Sequence, residues 1–401
     1  MKMTKLSLVA ALAVNTAFAG GDIAPVEPVV EAPASVPAGT ACNSKTTINS
    51  KAQLYYITSD DAGASDLFKT PTSAAAGAVT FDVSHKLFDS VTANFSAVGY
   101  VNLGDDVGEN DFEGQPNGAF INVANLTATF ADTTFIVGRQ LIDTPLVGGF
   151  DWLLAPGAFE GAVVANNSIN NLTLVAGYLT KWRPNNLGNT WVNLVDIDNG
   201  DNYTFGAVYG ADALKVSAWY YNVDSGSVAA TITGGVEDKY TAIYADAGYD
   251  FGVVNVAGQI ISTDYDTAKD SLAYGLKVGT EFSGVNLTAA VSNTTDNKAG
   301  FVGRDSMYTS SWNTFASNAG VANDDTLSWK VGASTELAGL NAEVSYAAYG
   351  DEGSELDLIL GYDVTDCVNL AAIYSLTDYD VNVDEQADAE NALEVIATYK
   401  F

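Results

Sequence analysis

The chain is poor in the residues that most chemistry uses. Its 401 residues contain one histidine, His85, and two cysteines, Cys42 and Cys367. There is no His or Cys cluster with metal-ligand spacing and no phosphate-binding glycine motif on a strand-to-helix turn. His85 falls at a predicted tight turn, away from any pocket, so no nucleophile or water-activating constellation can be built around it. The sequence therefore predicts no enzyme and no cofactor. Basic residues are also scarce, 17 against 49 acidic ones, for a formal charge of −32. Nucleic acid is excluded as a partner, because phosphate binding needs a basic surface. Long apolar runs are missing too. A membrane-spanning helix needs roughly 20 apolar residues, and the longest run, Leu6 to Val14, falls short of that. With Lys2 and Lys5 before it and Ala17-Phe18-Ala19 after it, this run reads as a signal peptide over residues 1–19. Residues 20–41 carry Pro25, Pro28, Pro33 and Pro37 and read as an extended periplasmic tether. The folded domain is expected over residues 42–401.

What the sequence does have is β structure. Hydrophobic residues make up 47%, with 6 Trp, 20 Tyr, 17 Phe and 37 Gly, which argues against acidic disorder. The period is two almost throughout. In "VTANFSAVGYVN", Val91, Ala93, Phe95, Ala97 and Val101 share one face, and Thr92, Asn94, Ser96 and Asn102 share the other. In "LTLVAGYLTKW", Leu172, Leu174, Ala176, Tyr178 and Trp182 oppose Thr173 and Lys181. A soluble sandwich would show the same alternation. Three further features separate the two classes. Short connections (such as Ala131-Asp132 and Ser283-Gly284) alternate with long ones (Leu103 to Gly118, Gln140 to Ala158, Thr294 to Asp325), as expected when one rim faces the periplasm and the other the outside. Aromatics recur at the short-turn ends: Tyr209, Tyr249, Phe251, Phe282, Tyr362, Tyr399 and Phe401, as in an interfacial girdle. Finally, about 20 residues per strand and its connections gives about 18 strands between Ile48 and the terminus. The fold class is an all-β transmembrane antiparallel β-barrel of about 18 strands.

Closure explains the terminus. The strand ending at Phe401 must pair with the first, near Ala52 to Thr58, because an unpaired edge in lipid costs several kcal/mol per orphaned backbone group. Cys42 precedes the first strand and Cys367 lies in the turn before the last two. Both fall at the periplasmic rim near the seam, and a Cys42–Cys367 disulfide is expected there.

"VGRQLIDTPLVGGFDWLLAPGAFEG", Val137 to Gly161, occupies the place of a third extracellular loop. It resembles the corresponding stretch of the OprD-like porins and the campylobacterial major outer membrane porins, in which Gly-Arg-Gln, Thr-Pro-Leu, Pro and Phe-Glu-Gly surround a loop folded into the pore. The resemblance implies an outer-membrane porin of 18 strands in a Gram-negative cell, a homotrimer, passing small hydrophilic solutes, with this third extracellular loop folded inward. The loop's own residues agree, since Leu146, Val147, Phe150, Trp152, Leu153 and Leu154 are too apolar for a free surface loop.

In such a pore the lumen-facing residues are the functional surface. Alternation places Asp82, Glu160, Asp238, Asp246, Glu281, Glu343, Asp357 and Glu394 inward, with Lys51, Lys181, Lys215, Lys277, Lys330 and Lys400. The expected constriction joins Asp143 and Asp151 of the third loop and Glu160 to Arg139, Lys181 and Arg183, acids opposed to bases across the opening. For Arg139 the alternation is ambiguous. The acid excess predicts a cation preference. The arginine ladder by which some relatives take anionic substrates is mostly absent, with only Arg139, Arg183 and Arg304 present. Asp105, Asp106, Glu109, Asp111 and Glu113 could gather calcium but lack the EF-hand spacing, so they read first as a solvated loop near lipopolysaccharide. The alternative readings are a substrate-selective channel on the same scaffold, and a surface adhesin or structural barrel.

Overall fold

The computed structural model describes residues 45–60, 66–69, 72–103, 117–149, 154–183, 194–197, 201–224, 239–303, 306–312, 326–379 and 389–401. The expected signal peptide and tether lie outside these residues. The strands in chain order are β1 (Thr46–Asp60), β2 (Ser73–Phe88), β3 (Val91–Asn102), β4 (Gly118–Phe130), β5 (Thr133–Gln140), β6 (Ala158–Ile169) and β7 (Leu172–Arg183). There follow β8 (Val195–Asp196), β9 (Asn202–Ala211), β10 (Leu214–Asp224), β11 (Lys239–Asp250), β12 (Val254–Tyr265) and β13 (Ser271–Phe282). The series ends with β14 (Val285–Asp296), β15 (Thr326–Leu337), β16 (Leu340–Tyr349), β17 (Gly353–Thr365), β18 (Val368–Tyr379) and β19 (Glu390–Lys400). The two-residue β8 only pairs with the last residues of β7, which pairs along the rest of its length with β9, so eighteen long strands form the wall.

Each long strand is antiparallel to its chain neighbours, and β1 pairs with β19 from Lys51↔Lys400 to Asp60↔Asn391. The barrel is closed, as the terminal strand required. Phe401 takes part in closure: its N–H donates to the Ser50 carbonyl at 2.9 Å and its carbonyl accepts the Ser50 N–H at 3.2 Å. No sheet edge remains, so the backbone groups of the wall are satisfied without water.

Alternation sorts the side chains. Leu54, Phe81, Val137, Leu276, Trp329 and Val331 point out and are exposed, whereas Tyr55, Thr80, Ile136, Ala273, Ser328 and Lys330 point in and are buried. An apolar belt running round the whole outer face far exceeds the few hundred Å² that a soluble monomer shows, and it is stable only against lipid. One rim has tight turns. In Ser283-Gly284 and Ala338-Gly339 both residues have positive φ (54° and 80°; 53° and 82°), the type I′ geometry whose twist suits a two-residue hairpin. At that rim Tyr209, Tyr249, Phe251, Phe282, Tyr362, Tyr399 and Phe401 all stand exposed outward, forming the expected girdle, with Phe88 and Phe130 as further members. The opposite rim carries the long connections, together with two short ones, residues 266–270 and 350–352.

Two bulges change which way residues face. Asn122 is extra where β4 passes Ser96 and Ala97 of β3. Thr180 is extra in β7, where Glu160 pairs with Lys181 but Gly161 pairs with Leu179. Each extra residue reverses the parity of the strand beyond it.

Candidate pore constriction

The buried apolar clusters lie inside the barrel, where two loops of the long-loop rim fold against the inner wall. The first is the third extracellular loop, between β5 and β6. Its start is a tight hairpin: Asp143 bridges Gly148, and the Thr144 N–H donates to the Val147 carbonyl at 2.9 Å. The Thr144 hydroxyl donates to the same carbonyl at 2.7 Å and accepts the Val147 N–H at 3.2 Å. This short-range bonding frees Leu146 at the tip to reach along the wall to β10, where its N–H meets the Tyr221 hydroxyl at 3.4 Å. Leu146, Val147, Leu154 and Ala155 are buried; burying a side chain such as Leu or Val stabilises by roughly 1.5–3 kcal/mol. The inward fold expected from the loop's apolar residues is therefore present.

The second inward loop, between β14 and β15, was read from sequence only as a long connection. Residues 306–312 run along the inner wall over a third of the barrel. Gln259 of β12 donates to the Ser306 carbonyl at 3.0 Å and accepts the Tyr308 N–H at 2.8 Å. Ser292 of β14 and Thr309 share a hydroxyl bond of 2.6 Å, and Lys330 Nζ donates to the Ser310 carbonyl at 2.6 Å. The Tyr349 hydroxyl lies 2.9 Å from the Thr309 carbonyl. At the far end the Trp312 N–H donates to Asp357 at 3.1 Å, and its indole Nε1 donates to Glu394 at 2.7 Å. Glu394 also accepts the Tyr55 hydroxyl at 2.7 Å, so Trp312 is tied to the seam between the first and last strands. A signal for this was in the sequence. No charged residue occurs among the 18 residues from Ser306 to Asn323, in a chain with 49 acids. Like the third loop, a stretch this free of charge has to be covered.

The structure divides the expected constriction residues. Arg183 is fully buried, and it acts as a bracket rather than as a charge on an open wall. Its Nη2 donates to Asn122 Oδ1 at 2.6 Å and to the Pro156 carbonyl, and its guanidinium lies 4.3 Å from the centre of the Phe120 ring. The third loop's return limb is thereby tied to the bulged residue of β4. Asp143 is half-buried in the hairpin. Arg139, Glu160 and Lys181 form one cross-strand row, Arg139↔Glu160↔Lys181, on the face opposite to the buried Gln140, Phe159 and Trp182. They share the register of exposed Val137, so they stand on the outer face and the inward placement of Glu160 and Lys181 is corrected. In β7 the Thr180 bulge is the cause, turning Trp182 in to stack on Phe159 (14° between planes) and Lys181 out to Asp196 at 3.4 Å. The same bulge corrects the expected outward Trp182. Glu160 needs no bulge, since it continues the outward register of Ala162 and Val164. Arg139 donates to the Ile121 carbonyl at 2.5 Å.

Asp151, Asp238, Cys42 and the acids Asp105, Asp106, Glu109, Asp111 and Glu113 lie outside the described residues. Cys367 is an exposed free thiol in the β17–β18 turn. Among the described residues no three His, Cys, Asp or Glu side chains are placed to hold a metal ion.

The lumen holds a different opposition of charge. One cross-strand row runs Lys215–Gly248–Ala257–Lys277–Ala290–Lys330–Ala347–Glu355. Three lysines separated by small residues thus line β10 to β15. On β16 to β19 the inner face carries Glu343, Glu355, Asp357 and Glu394. Asp357 is held by Ser375 at 2.9 Å, as well as by Trp312. The arc from β10 to β15 also holds Asp246, a buried acceptor of the Ser217 hydroxyl, and Glu281, so a largely basic and an acidic arc share one lumen, with the second inward loop laid across their junction.

Residues 100–339 match the family described as outer membrane porin, OprD family. Among solved structures, Pseudomonas aeruginosa OpdK with vanillate superposes with a TM-score of 0.71 at 17% identity, covering 89% of this chain and 98% of its own. Pseudomonas aeruginosa OpdO gives 0.68 at 18%, covering 89% and 97%. Acinetobacter baumannii OccAB1 gives 0.70 at 15%, covering 89% and 96%. At such identities the likeness is one of fold. No curated protein matches the chain. The family match spans more than half of the sequence, from β3 through β15, and agrees with the closed eighteen-strand wall and the loop folded between β5 and β6: the chain belongs to the OprD family of porins of the Gram-negative outer membrane.

Proposed function

We propose that the protein passes small hydrophilic solutes by passive diffusion through a narrowed lumen, prefers cations, and assembles as a homotrimer. The observation that carries the reading is the pair of loops bonded to the inner wall between a basic and an acidic arc. Loops held in this way reduce the opening, and the opposed arcs create a field across it that orients dipolar solutes. Charges facing the lumen nearly balance, so the cation preference rests on the acid excess of the mouth, where Leu103 to Gly118 alone carries Asp105, Asp106, Glu109, Asp111 and Glu113. Trimerisation follows the resemblance to the campylobacterial porins. A substrate-selective channel is the second reading, favoured by the buried Trp219, Tyr221, Tyr244 and Tyr308 beside those arcs.

Reversal potential and conductance of the folded protein in a planar bilayer under a salt gradient test this. Cation selectivity with conductance in steps of three is expected. Anion selectivity, or steps of one, would remove the corresponding part of the proposal, and a silent bilayer would remove diffusion itself. Liposome swelling that saturates with one solute would favour the second reading. The outer-face row makes a sharper expectation. Glu160→Gln and Lys181→Gln leave the reversal potential unchanged, whereas Glu343→Gln and Lys277→Gln shift it measurably and in opposite directions. Equal effects from both pairs would contradict the register described here.

A further inference from the structure

The two inward loops are anchored on different walls and meet at one joint. The third loop is held through Arg183 and Asn122 near β4 and β7 and through Tyr221 on β10. The second is held from Gln259 on β12 to Glu394 on β19. Between them Val147 and Val302 form a parallel bridge. The Val302 N–H donates to the Leu146 carbonyl at 2.8 Å, and the Gly148 N–H donates to the Val302 carbonyl at 3.1 Å. The Ser306 hydroxyl adds a bond to the Pro145 carbonyl at 2.7 Å. Both valines are buried, so water does not compete for the bridge.

Gly303 lets the loops approach this closely. Its φ is +75°, and a Cβ there would lie 2.3 Å from the Gly148 carbonyl oxygen and 3.4 Å from the Trp182 ring. The first contact is with backbone, which cannot swing aside as a side-chain end would. Any side chain at 303 must push the loops apart.

We propose that this joint makes the two loops a single fixed partition of the lumen, that solutes pass beside the joined loops without parting them, and that Gly303 is the positioning residue that sets the width of the passage. This rests on the diffusion-channel reading above. Two halves that could each sway become one strut fixed at both ends, and its geometry is set where the chains touch.

The test uses full-length protein in a Cys42→Ser/Cys367→Ser background. Val147→Cys/Val302→Cys places thiols on directly bridged residues, within reach of a disulfide. On oxidation the cross-link is expected to form nearly completely and to leave conductance and solute cut-off as in the reduced form. Gly303→Ala is expected to part the joint and so to change conductance about twofold and shift the sugar cut-off in liposomes, because the opening sets the flux. The heat-induced gel shift of the barrel should not move, since no wall strand is touched. A cross-link that fails to form, or one that closes the channel until dithiothreitol is added, overturns the proposal. So does Gly303→Ala with unchanged conductance and cut-off. A background protein silent before any loop change would instead sink the diffusion-channel reading, which keeps the two failures apart.

Discussion

Arg183→Ala is expected to release the third loop's return limb and give a wider, noisier channel. The guanidinium joins the inner face of β4, through Asn122 Oδ1 and the Phe120 ring, to the return limb at the Pro156 carbonyl, beside the apolar packing of Leu154 and Ala155 on the Phe120 cluster. Hydrogen bonds from a charged donor contribute roughly 1.5–3 kcal/mol each, and a desolvated cation–π contact adds roughly 1–2 kcal/mol. Loss of about 4 kcal/mol of anchoring would raise the population of the released limb by nearly three orders of magnitude. The alanine variant should show larger unitary conductance, frequent transitions between levels, and faster swelling with larger sugars. Arg183→Lys should fall between, because an ammonium cannot reproduce the planar fork that bonds and stacks together. Folded Arg183→Ala protein with the conductance and noise of the parent would show that the bracket does not hold the loop.

Glu394→Ala acts on the second inward loop, through Trp312. This buried carboxylate accepts the Tyr55 hydroxyl through one oxygen and the Trp312 indole N–H through the other, both at 2.7 Å. Its removal strands two buried donors at roughly 1–3 kcal/mol each. The second loop should lose its hold on the seam. One negative charge also leaves the acidic arc, so the reversal potential should shift toward anions while conductance rises. Glu394→Gln separates the two effects, because the amide keeps one acceptor and loses the charge. It should show nearly the full shift in selectivity with about half the gain in conductance, since one of the two bonds survives. If both variants leave conductance unchanged, the Asp357 contact to the Trp312 N–H suffices to hold the loop.

These two residues also show where sequence reasoning stops. Arg183 was expected among the pore charges because it is basic and follows a strand. It faces inward, as a pore charge would, but the return limb of the loop covers it. Glu394 was placed inward correctly by alternation, yet its partner Trp312 lies 82 positions away in a loop without periodicity. Lys181 was placed inward by the same alternation and stands outside, because Thr180 is a bulge that no residue type in "LTLVAGYLTKW" announces. Period two is exact only along an unbroken ladder.

The wall is written in the amino-acid sequence. Side chains of a strand alternate by local backbone geometry, tight turns need particular φ values within two residues, and an aromatic at a strand end is placed by its distance from the turn. These are short-range rules, which is why the closed barrel, the girdle, the sorted rims and the paired terminus at Phe401 are all legible in the sequence. The inward third loop was legible as well, from apolar residues that had to be covered. Long-range contacts settled the rest: where the second loop is anchored on the wall, the Arg183 bracket, the Val147–Val302 joint, and the outer-face row of Arg139, Glu160 and Lys181. The contacts among these parts join segments distant in the chain, or depend on a single bulge. Their energy exists only once the barrel has closed around them, so no local pattern records it.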